Sequence, residues 1–257
     1  GVSIYNHQKD NFSKLEYPGI NNSVNEILAD VFGKVWVAHY SGLTVIDPAK
    51  KKSLTFSAGA PKPGQLSTNE VLTIFQDKKN TMWIGTTDGL FQYNRKSSEF
   101  IQYKHDPELR SSLADDYVKA IVEDTKGSLW ISTSKGLSMM RPDRSGFENS
   151  FSNINNFQTL AGSTIGPLDI DTNGRLWIGT NHGLYILNPQ SGALVNFLPD
   201  KRDKHSLASR AISSIYIDNA SGIHWIGTYH SGISKYDKNL SLFHLKEPNP
   251  FDPKGLS

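Results

Sequence analysis

Apolar residues recur along the chain in short runs, each bounded by glycine, asparagine, aspartate or proline. One such run is Leu176–Thr180, which is followed, after turn residues, by Gly183–Leu187 and Ala193–Leu198. Strands of about five residues that are joined by turn residues are typical of an antiparallel meander. No stretch of about 11 or more residues shows convincing helical periodicity, so the pattern predicts an all-β chain.

The pattern repeats, and tryptophan marks its register. The five tryptophans are separated by 47, 47, 47 and 48 residues. An aspartate precedes the first four by six residues and the fifth by seven, and a glycine follows at the same two distances. These residues are Trp36, Trp83, Trp130, Trp177 and Trp225, with Asp30, Asp77, Asp124, Asp171 and Asp218, and Gly42, Gly89, Gly136, Gly183 and Gly232. A unit of four strands with this period is the size of a β-propeller blade, whereas the coils of a β-solenoid are usually shorter.

The repeat predicts one partial β-propeller across residues 1–257, with five complete blades and an outer half-blade. The half-blade, at about 1–18, has a third strand at Gly1–Asn6 and a fourth at Phe12–Tyr17. Leu256-Ser257 matches Leu66-Ser67, which opens a repeat. We therefore expect a fragment of a propeller with six or more blades, whose open edges invite pairing with another chain. The blades are expected at about 19–65, 66–112, 113–159, 160–206 and 207–257.

Composition narrows the possible partners. Lys and Arg number 27 against 25 Asp and Glu, a formal net charge of +2, which gives no argument for nucleic acid or for membrane contact. The chain has no cysteine, so disulfides, thiolate metal sites and cysteine nucleophiles are excluded. No apolar run approaches the roughly 18 residues of a membrane-spanning helix. No signal peptide is visible before Gly1, as in a mature, processed or cut chain.

Two segments only partly match chemical motifs. Asp169–Gly174 copies the first half of a calcium-binding EF loop, but the twelfth position is Thr180 where a bidentate Glu is needed. Gly59–Gln65 has the glycines of a phosphate loop without the Lys-Ser/Thr that follows them. Neither Gly-x-Ser-x-Gly nor His-Glu-x-x-His occurs. We therefore predict no catalytic residues, metal or cofactor, and a non-enzymatic chain.

The blade signature resembles a known repeat. Val-x-x-Ile-x-x-Asp-x-x-Gly-x-x-Trp-Ile-Gly-Thr-x-x-Gly-Leu is nearly intact at Val71–Leu90, Val118–Leu137 and Ile165–Leu184. It resembles the two-component regulator propeller repeat over essentially the whole chain, with Val37-Ala38-His39 replacing Ile-Gly-Thr in the first blade. The resemblance implies the periplasmic sensor region of a Bacteroidetes-type hybrid two-component system. It further implies an oligosaccharide ligand and a histidine kinase with response regulator outside these residues.

Candidate ligand-binding residues lie in two sets of loops. In propellers, ligands usually bind over the central channel, on the face built from second-to-third turns and entries to first strands. Polar side chains with a few flat aromatic rings suit sugars, which present hydroxyls and apolar C–H faces. The candidates are Tyr40, His182, Tyr229, His230, Arg210, His39, Asp88 and Lys135.

Three functions compete at this point. The leading hypothesis is a sensor module whose partners are an oligosaccharide, the rest of the same sensor chain and a second copy in a homodimer. The second is a propeller for protein interaction or dimerisation without a small ligand. The third is a polysaccharide lyase that uses the loops of His39, His182 and His230. Turnover of a polysaccharide that is lost in His230→Ala would distinguish the lyase from the other two.

Overall fold

The computed structural model describes residues 1–15, 23–59, 64–149, 154, 160, 163–203 and 205–237. These residues form 21 strands. The strands are β1 (Ser3–Asn6), β2 (Asn11–Lys14), β3 (Val24–Ala29), β4 (Val35–His39), β5 (Gly42–Asp47), β6 (Lys52–Phe56), β7 (Val71–Gln76), β8 (Met82–Thr86), β9 (Gly89–Asn94), β10 (Glu99–Tyr103), β11 (Val118–Glu123), β12 (Leu129–Thr133), β13 (Gly136–Met140), β14 (Phe147–Glu148), β15 (Ile165–Ile170), β16 (Leu176–Thr180), β17 (Gly183–Asn188), β18 (Ala193–Phe197), β19 (Ile212–Asp218), β20 (Ile223–Thr228) and β21 (Ile233–Asp237).

Neighbouring strands pair antiparallel in chain order and form six separate sheets. The half-blade is β1–β2, and blades 1 to 4 are β3–β6, β7–β10, β11–β14 and β15–β18. Blade 5 shows β19–β21 within the described residues. The fourth strand predicted for blade 5, and the match at Leu256-Ser257, lie outside the part of the chain that the structure describes. The prediction of an all-β propeller with antiparallel four-stranded blades is confirmed.

The first strands of consecutive blades lie side by side, in the order β3, β7, β11, β15 and β19. Each shifts its register against the second strand of its own blade near its beginning. Such β-bulges increase the local twist of a strand and leave one residue unpaired in the sheet. In two places a carboxylate of one blade accepts a backbone N–H from the first strand of the next blade. Glu26 Oε2 accepts the N–H of Ile74 at 2.8 Å, and Asp169 Oδ2 accepts that of Ile217 at 2.8 Å.

Tryptophan packs between blades, as the repeat predicts. Trp36, Trp83, Trp130 and Trp177 are at most 2% exposed. Each joins an apolar cluster with residues of the following blade, as Trp83 does with Leu113, Val118 and Ile131. Burying a large aromatic side chain contributes a few kcal/mol each time, so these clusters hold neighbouring sheets together.

A hydrogen bond joins the repeated aspartate to the repeated tryptophan, and we call this pair the Asp–Trp clasp. In blades 1 to 4, one carboxylate oxygen accepts the indole N–H of the same blade at 2.8, 2.9, 3.1 and 3.0 Å. The other oxygen accepts backbone N–H groups two and four residues further along, such as those of Lys79 and Thr81 on Asp77. The clasp therefore fixes the first-to-second turn and orients the indole towards the next blade.

Blade 5 departs from this arrangement because its turn is one residue longer. Gly222 N–H reaches the carbonyl of Asp218 four residues back, whereas Gly33 reaches that of Asp30 three residues back. The carboxylate of Asp218 accepts from Ala220 and Ser221. Trp225 is 41% exposed.

Acidification is expected to weaken the fold through the clasps. Burial by itself raises the pKa of Asp30, but hydrogen bonds from Trp36, backbone N–H groups and Arg95 outweigh it and hold the pKa below its ordinary value. The pKa of Asp171 is lowered in the same way. A carboxyl with a lowered folded pKa stabilises the fold above its unfolded pKa, and this contribution is lost as pH falls through the folded pKa. The free energy of unfolding should therefore decrease as the pH falls below about 4.

Urea unfolding of wild type and Asp30→Asn over a pH series measures this effect. The variant should show a shallower decrease in unfolding free energy below about pH 4, since it lacks one of the titrating groups. Burial raises the pKa of Glu26 and Asp169. Protonation of these two carboxyls therefore increases the free energy of unfolding, and it does so at higher pH than the loss from Asp30. Parallel curves for the two proteins below about pH 4 would contradict the assignment.

Candidate functional site

The second-to-third turns meet the entries to the first strands, and together they form what we call the entry face. In blades 2 to 5, the turn donates to the segment before the first strand of the same blade, as Ser134 N–H does to the Tyr117 carbonyl at 3.1 Å. Between blades, Gly89 N–H donates to the Asp116 carbonyl at 2.7 Å. These bonds hold loops of adjacent blades in one continuous surface.

Glycine and threonine shape each turn. Gly89 has a φ of +113°, and a Cβ there would lie 2.6 Å from the carbonyl oxygen of Tyr103 in the fourth strand. Thr86 Oγ1 donates to the Gly89 carbonyl at 2.8 Å and accepts the N–H of Asp88 at 3.0 Å. Thr180 does the same for Gly183 and His182 in blade 4. The side chains at the turn tips therefore stand on a rigid frame.

His39 takes the place of this threonine in blade 1. His39 is fully buried. Its Nε2 lies 3.0 Å from Thr44 Oγ1, and its Nδ1 accepts the N–H of Ser41 at 3.2 Å. Burial lowers the pKa of His39, which favours the neutral ring that such acceptance requires. The ring therefore holds the turn and does not extend into solvent at the entry face.

Four candidates come together where blades 4 and 5 meet, and we call this group the aromatic corner. It consists of His182, Arg210, Tyr229 and His230. The Arg210 carbonyl accepts the N–H of Gly183, next to His182, at 2.8 Å, and the carbonyl of Ala211 accepts the N–H of Tyr229 at 3.1 Å. All four residues are exposed, with Tyr229 at 67%, and the rings of Tyr229 and His230 lie 6.4 Å apart. The corner presents aromatic, imidazole and guanidinium groups to solvent on one short length of rim.

Asp88 lies in a polar network at the junction of blades 2 and 3. Its carboxylate accepts from Ser67 Oγ at 2.5 Å and from Lys104 Nζ at 2.6 Å. Lys104 also lies 3.6 Å from the carboxylate of Asp116. Burial alone raises the pKa of Asp88, but the bonds from Lys104 and Ser67 outweigh it and keep the pKa below its ordinary value. The network stays ionised at neutral pH and offers hydroxyl groups both donors and acceptors.

The remaining two candidates stand apart from both groups. Tyr40, at the tip of the blade 1 turn, is 51% exposed. The side chain of Lys135 is 70% exposed and lies 3.2 Å from the Asp115 carboxylate. A rim with an aromatic corner and a charged network can bind a polar ligand over several blades.

Two cavities lie away from the entry face. One of about 540 Å³ lies between blades 1 and 2 and is lined by Phe32, Trp36, Leu54 and Tyr93, among others. A second of about 280 Å³ lies between blades 3 and 4, where Asp124 and Pro189 meet. No predicted site residue lines either cavity. In the second cavity, Pro189 of blade 4 occupies the turn position that Arg95 occupies in blade 2.

Within the described ranges, no group of three or more His, Asp or Glu residues could hold a metal ion. The same ranges contain no helix that is long and apolar enough to cross a membrane.

Comparison with known proteins identifies the repeat. The family model described as "Two component regulator propeller" matches residues 65–88 and 112–135, at the starts of blades 2 and 3. Two of the repeats are therefore similar to the two-component regulator propeller repeat. No curated protein sequence matches the chain.

Solved structures show the same fold. Two structures of the extracellular domain of BT4673 from B. thetaiotaomicron superpose with a TM-score of 0.75, at 26% and 25% identity. One describes BT4673 as a one-component system and the other as a hybrid two-component system. The match covers 91% of this chain and 30% of the solved BT4673 domain, so the chain spans less than a third of that domain.

Two further structures are similar in fold alone. PorZ, a surface component of the type-IX secretion system of Porphyromonas gingivalis, is 17% identical with a TM-score of 0.65, covering 83% of this chain and 32% of PorZ. Virginiamycin B lyase from Staphylococcus aureus is 12% identical with a TM-score of 0.61, covering 89% of this chain and 70% of the lyase.

Proposed function

We propose that the chain is part of the extracytoplasmic, ligand-sensing propeller of a hybrid two-component system. In this proposal the entry face recognises an oligosaccharide, and the signal passes to a kinase in another part of the same protein. The chain itself carries out no chemistry.

The similarity to the extracellular domain of BT4673 carries this proposal. It extends over 91% of the chain, and the repeat family has the same two-component character. An extracellular domain of a two-component system is the part that meets the ligand, so a location outside the cytoplasm follows from the same observation. Since fold alone does not determine function, the ligand must be argued from the entry face.

The chemistry of the entry face favours a sugar. Tyr229 and Tyr40 expose large flat rings that can pack on the C–H faces of a pyranose. Arg210, His182 and the Asp88–Lys104 pair supply donors and acceptors for hydroxyl groups. Because these groups are spread along the rim, they suit several sugar units better than a single one.

Replacing Tyr229 should weaken binding of a sugar ligand without unfolding the protein. Loss of a stacking ring costs about 1–2 kcal/mol, so Tyr229→Ala should raise the Kd by roughly 5- to 30-fold. Tyr216→Ala is the matched control, because Tyr216 is 63% exposed but lies on β19, within a strand and away from the turns. Calorimetric titration with oligosaccharide fractions from digested polysaccharides measures both variants against wild type.

The control separates stacking from a general loss of surface. Tyr216→Ala should bind as wild type does, and both variants should unfold at the wild-type urea concentration. Equal binding by wild type and Tyr229→Ala would remove the aromatic corner from the site.

A second candidate function is pairing through blade 5. Three large side chains are exposed on its free face: Trp225 at 41%, Tyr216 at 63% and Ile233 at 70%. The equivalent residues of blade 2 include Trp83 and Leu90, which are completely buried between blades. Such a surface suits a further blade or a second copy of the chain in a homodimer. Sedimentation of wild type and Trp225→Lys distinguishes pairing, which the lysine would abolish, from a monomer.

A lyase function draws on fold alone. The similar lyase is 12% identical to this chain, and that level of likeness carries no argument about chemistry.

A further inference from the structure

An arginine completes the Asp–Trp clasp at three junctions between described blades. Arg95 of blade 2 lies 3.0 Å from Asp30 of blade 1, and Arg144 of blade 3 lies 2.9 Å from Asp77 of blade 2. Arg175 lies 2.7 Å from Asp171 within blade 4. In each case the guanidinium bonds the oxygen that already accepts the indole N–H. It also lies 5.3 to 6.0 Å from the centre of that tryptophan ring. The fold thus repeats one receptor for a guanidinium group.

The junction of blades 3 and 4 has the same receptor without an arginine from the described residues. Asp124 is 6% exposed, and its Oδ2 accepts the indole N–H of Trp130 at 3.1 Å. Its Oδ1 accepts two backbone N–H groups at 2.8 and 2.9 Å. Lys78 donates to the backbone carbonyl of Asp124 at 2.8 Å, not to its carboxylate. A carboxylate oxygen accepts more than one hydrogen bond, so Oδ2 retains the capacity that a guanidinium uses in blades 1, 2 and 4.

The sequence explains why the arginine is missing. Arg95 follows Asn94, whose Oδ1 accepts the N–H groups of Lys96 and Ser97 and so closes the turn. In blade 4 the same turn is closed by Asn188, and the next residue is Pro189. The position of Arg175, two residues before the tryptophan, is Ser128 in blade 3.

A cavity lies beside Asp124 at this junction. It measures about 280 Å³, and its lining includes Asp124, Ser128, Trp130, Glu148, Pro189 and Gln190. Two of these residues are acidic, and Lys126 contributes one positive charge to the same lining. A cavity with a buried carboxylate at its wall and a second carboxylate nearby favours a cation.

We propose that this cavity binds a guanidinium group, supplied either by a small guanidino compound or by an arginine side chain of a partner. The planar donors pair with Asp124 Oδ2, as those of Arg95 and Arg144 pair with their aspartates. The cavity adjoins the first-to-second turns, at the opposite end of the strands from the entry face. Its function is therefore independent of the sugar site.

The indole N–H signals of the five tryptophans provide a direct readout. Titration of the ¹⁵N-labelled chain with methylguanidinium chloride should shift the Trp130 signal saturably, with a Kd on the order of millimolar for one charge-assisted pair. The Trp36 and Trp83 signals should stay in place, because Arg95 and Arg144 already occupy their carboxylates. Sodium chloride at equal ionic strength controls for salt. N-acetyl-arginine amide tests the second source, and binding of either compound supports the proposal.

Filling the cavity from within is the decisive variant. Pro189→Arg places a guanidinium at the position of Arg95 in the same type of turn, and it should abolish the methylguanidinium shift at Trp130. Pro189→Gln removes the same proline without adding a charge, and it should retain the shift. Absence of a saturable Trp130 shift in wild type, or an equal shift in Pro189→Arg, would overturn the proposal.

Discussion

Trp83→Ala should lower the free energy of unfolding by about 3–5 kcal/mol, whereas Trp225→Ala should lower it by about 1 kcal/mol or less. Both residues occupy the same position of the repeat. Trp83 is completely buried against blade 3, and its loss leaves a cavity that the surrounding β-sheets cannot close. Trp225 is 41% exposed, so much of its surface remains in water in the folded state.

Urea unfolding followed by circular dichroism measures the two variants against wild type. The comparison holds the chemical change constant and varies only the packing of the site. Equal losses in the two variants would show that junctions between blades contribute no more than the free face of blade 5.

Asp77→Ala should cost about 3–5 kcal/mol, because it breaks a buried ion pair and three further hydrogen bonds at once. The side chain of Asp77 is 1% exposed and accepts from Lys79, Thr81, Trp83 and Arg144. Its removal leaves the indole N–H and the guanidinium of Arg144, which is 16% exposed, without their acceptor. The penalty comes mainly from these unpaired donors.

Asp218→Ala is the matched control for the clasp. Asp218 holds the equivalent position, but its carboxylate bonds only its own turn and no indole. Its replacement should have a much smaller effect on the urea midpoint. Since Asp77 and Trp83 act as a unit, the double variant Asp77→Ala/Trp83→Ala should lose less than the sum of the two single losses. Strict additivity would contradict a shared clasp.

The period of the tryptophans was sufficient to predict the sheets. Strand length, turn glycines and the 47-residue spacing are local signals, and each sheet is built from residues close in sequence. The sequence also placed a tryptophan at the same position of each complete blade. It did not predict the indole bond of the aspartate, because an Asp-x-x-Gly turn accounts for that residue without any partner.

The site could be predicted only in outline. His39 was selected as a ligand-binding candidate. The sequence shows that it takes the place of a threonine, but its burial and its bond to Thr44 appear only in the structure. Arg95 and Arg144 bond aspartates 65 and 67 residues away, so no local pattern connects them. The cavity beside Asp124 is lined by residues of two blades, so no local pattern marks it either. Contacts between blades thus required the structure.

A glycan array tests whether the entry face is an oligosaccharide site. The probes are this chain, the complete extracytoplasmic region of its protein, and the same region with Arg210→Ala and Tyr229→Ala together. We expect the complete region to bind a defined set of oligosaccharides and the double variant to lose those signals. If the complete region binds no oligosaccharide, or if the double variant binds as the wild type does, the entry face is not an oligosaccharide site.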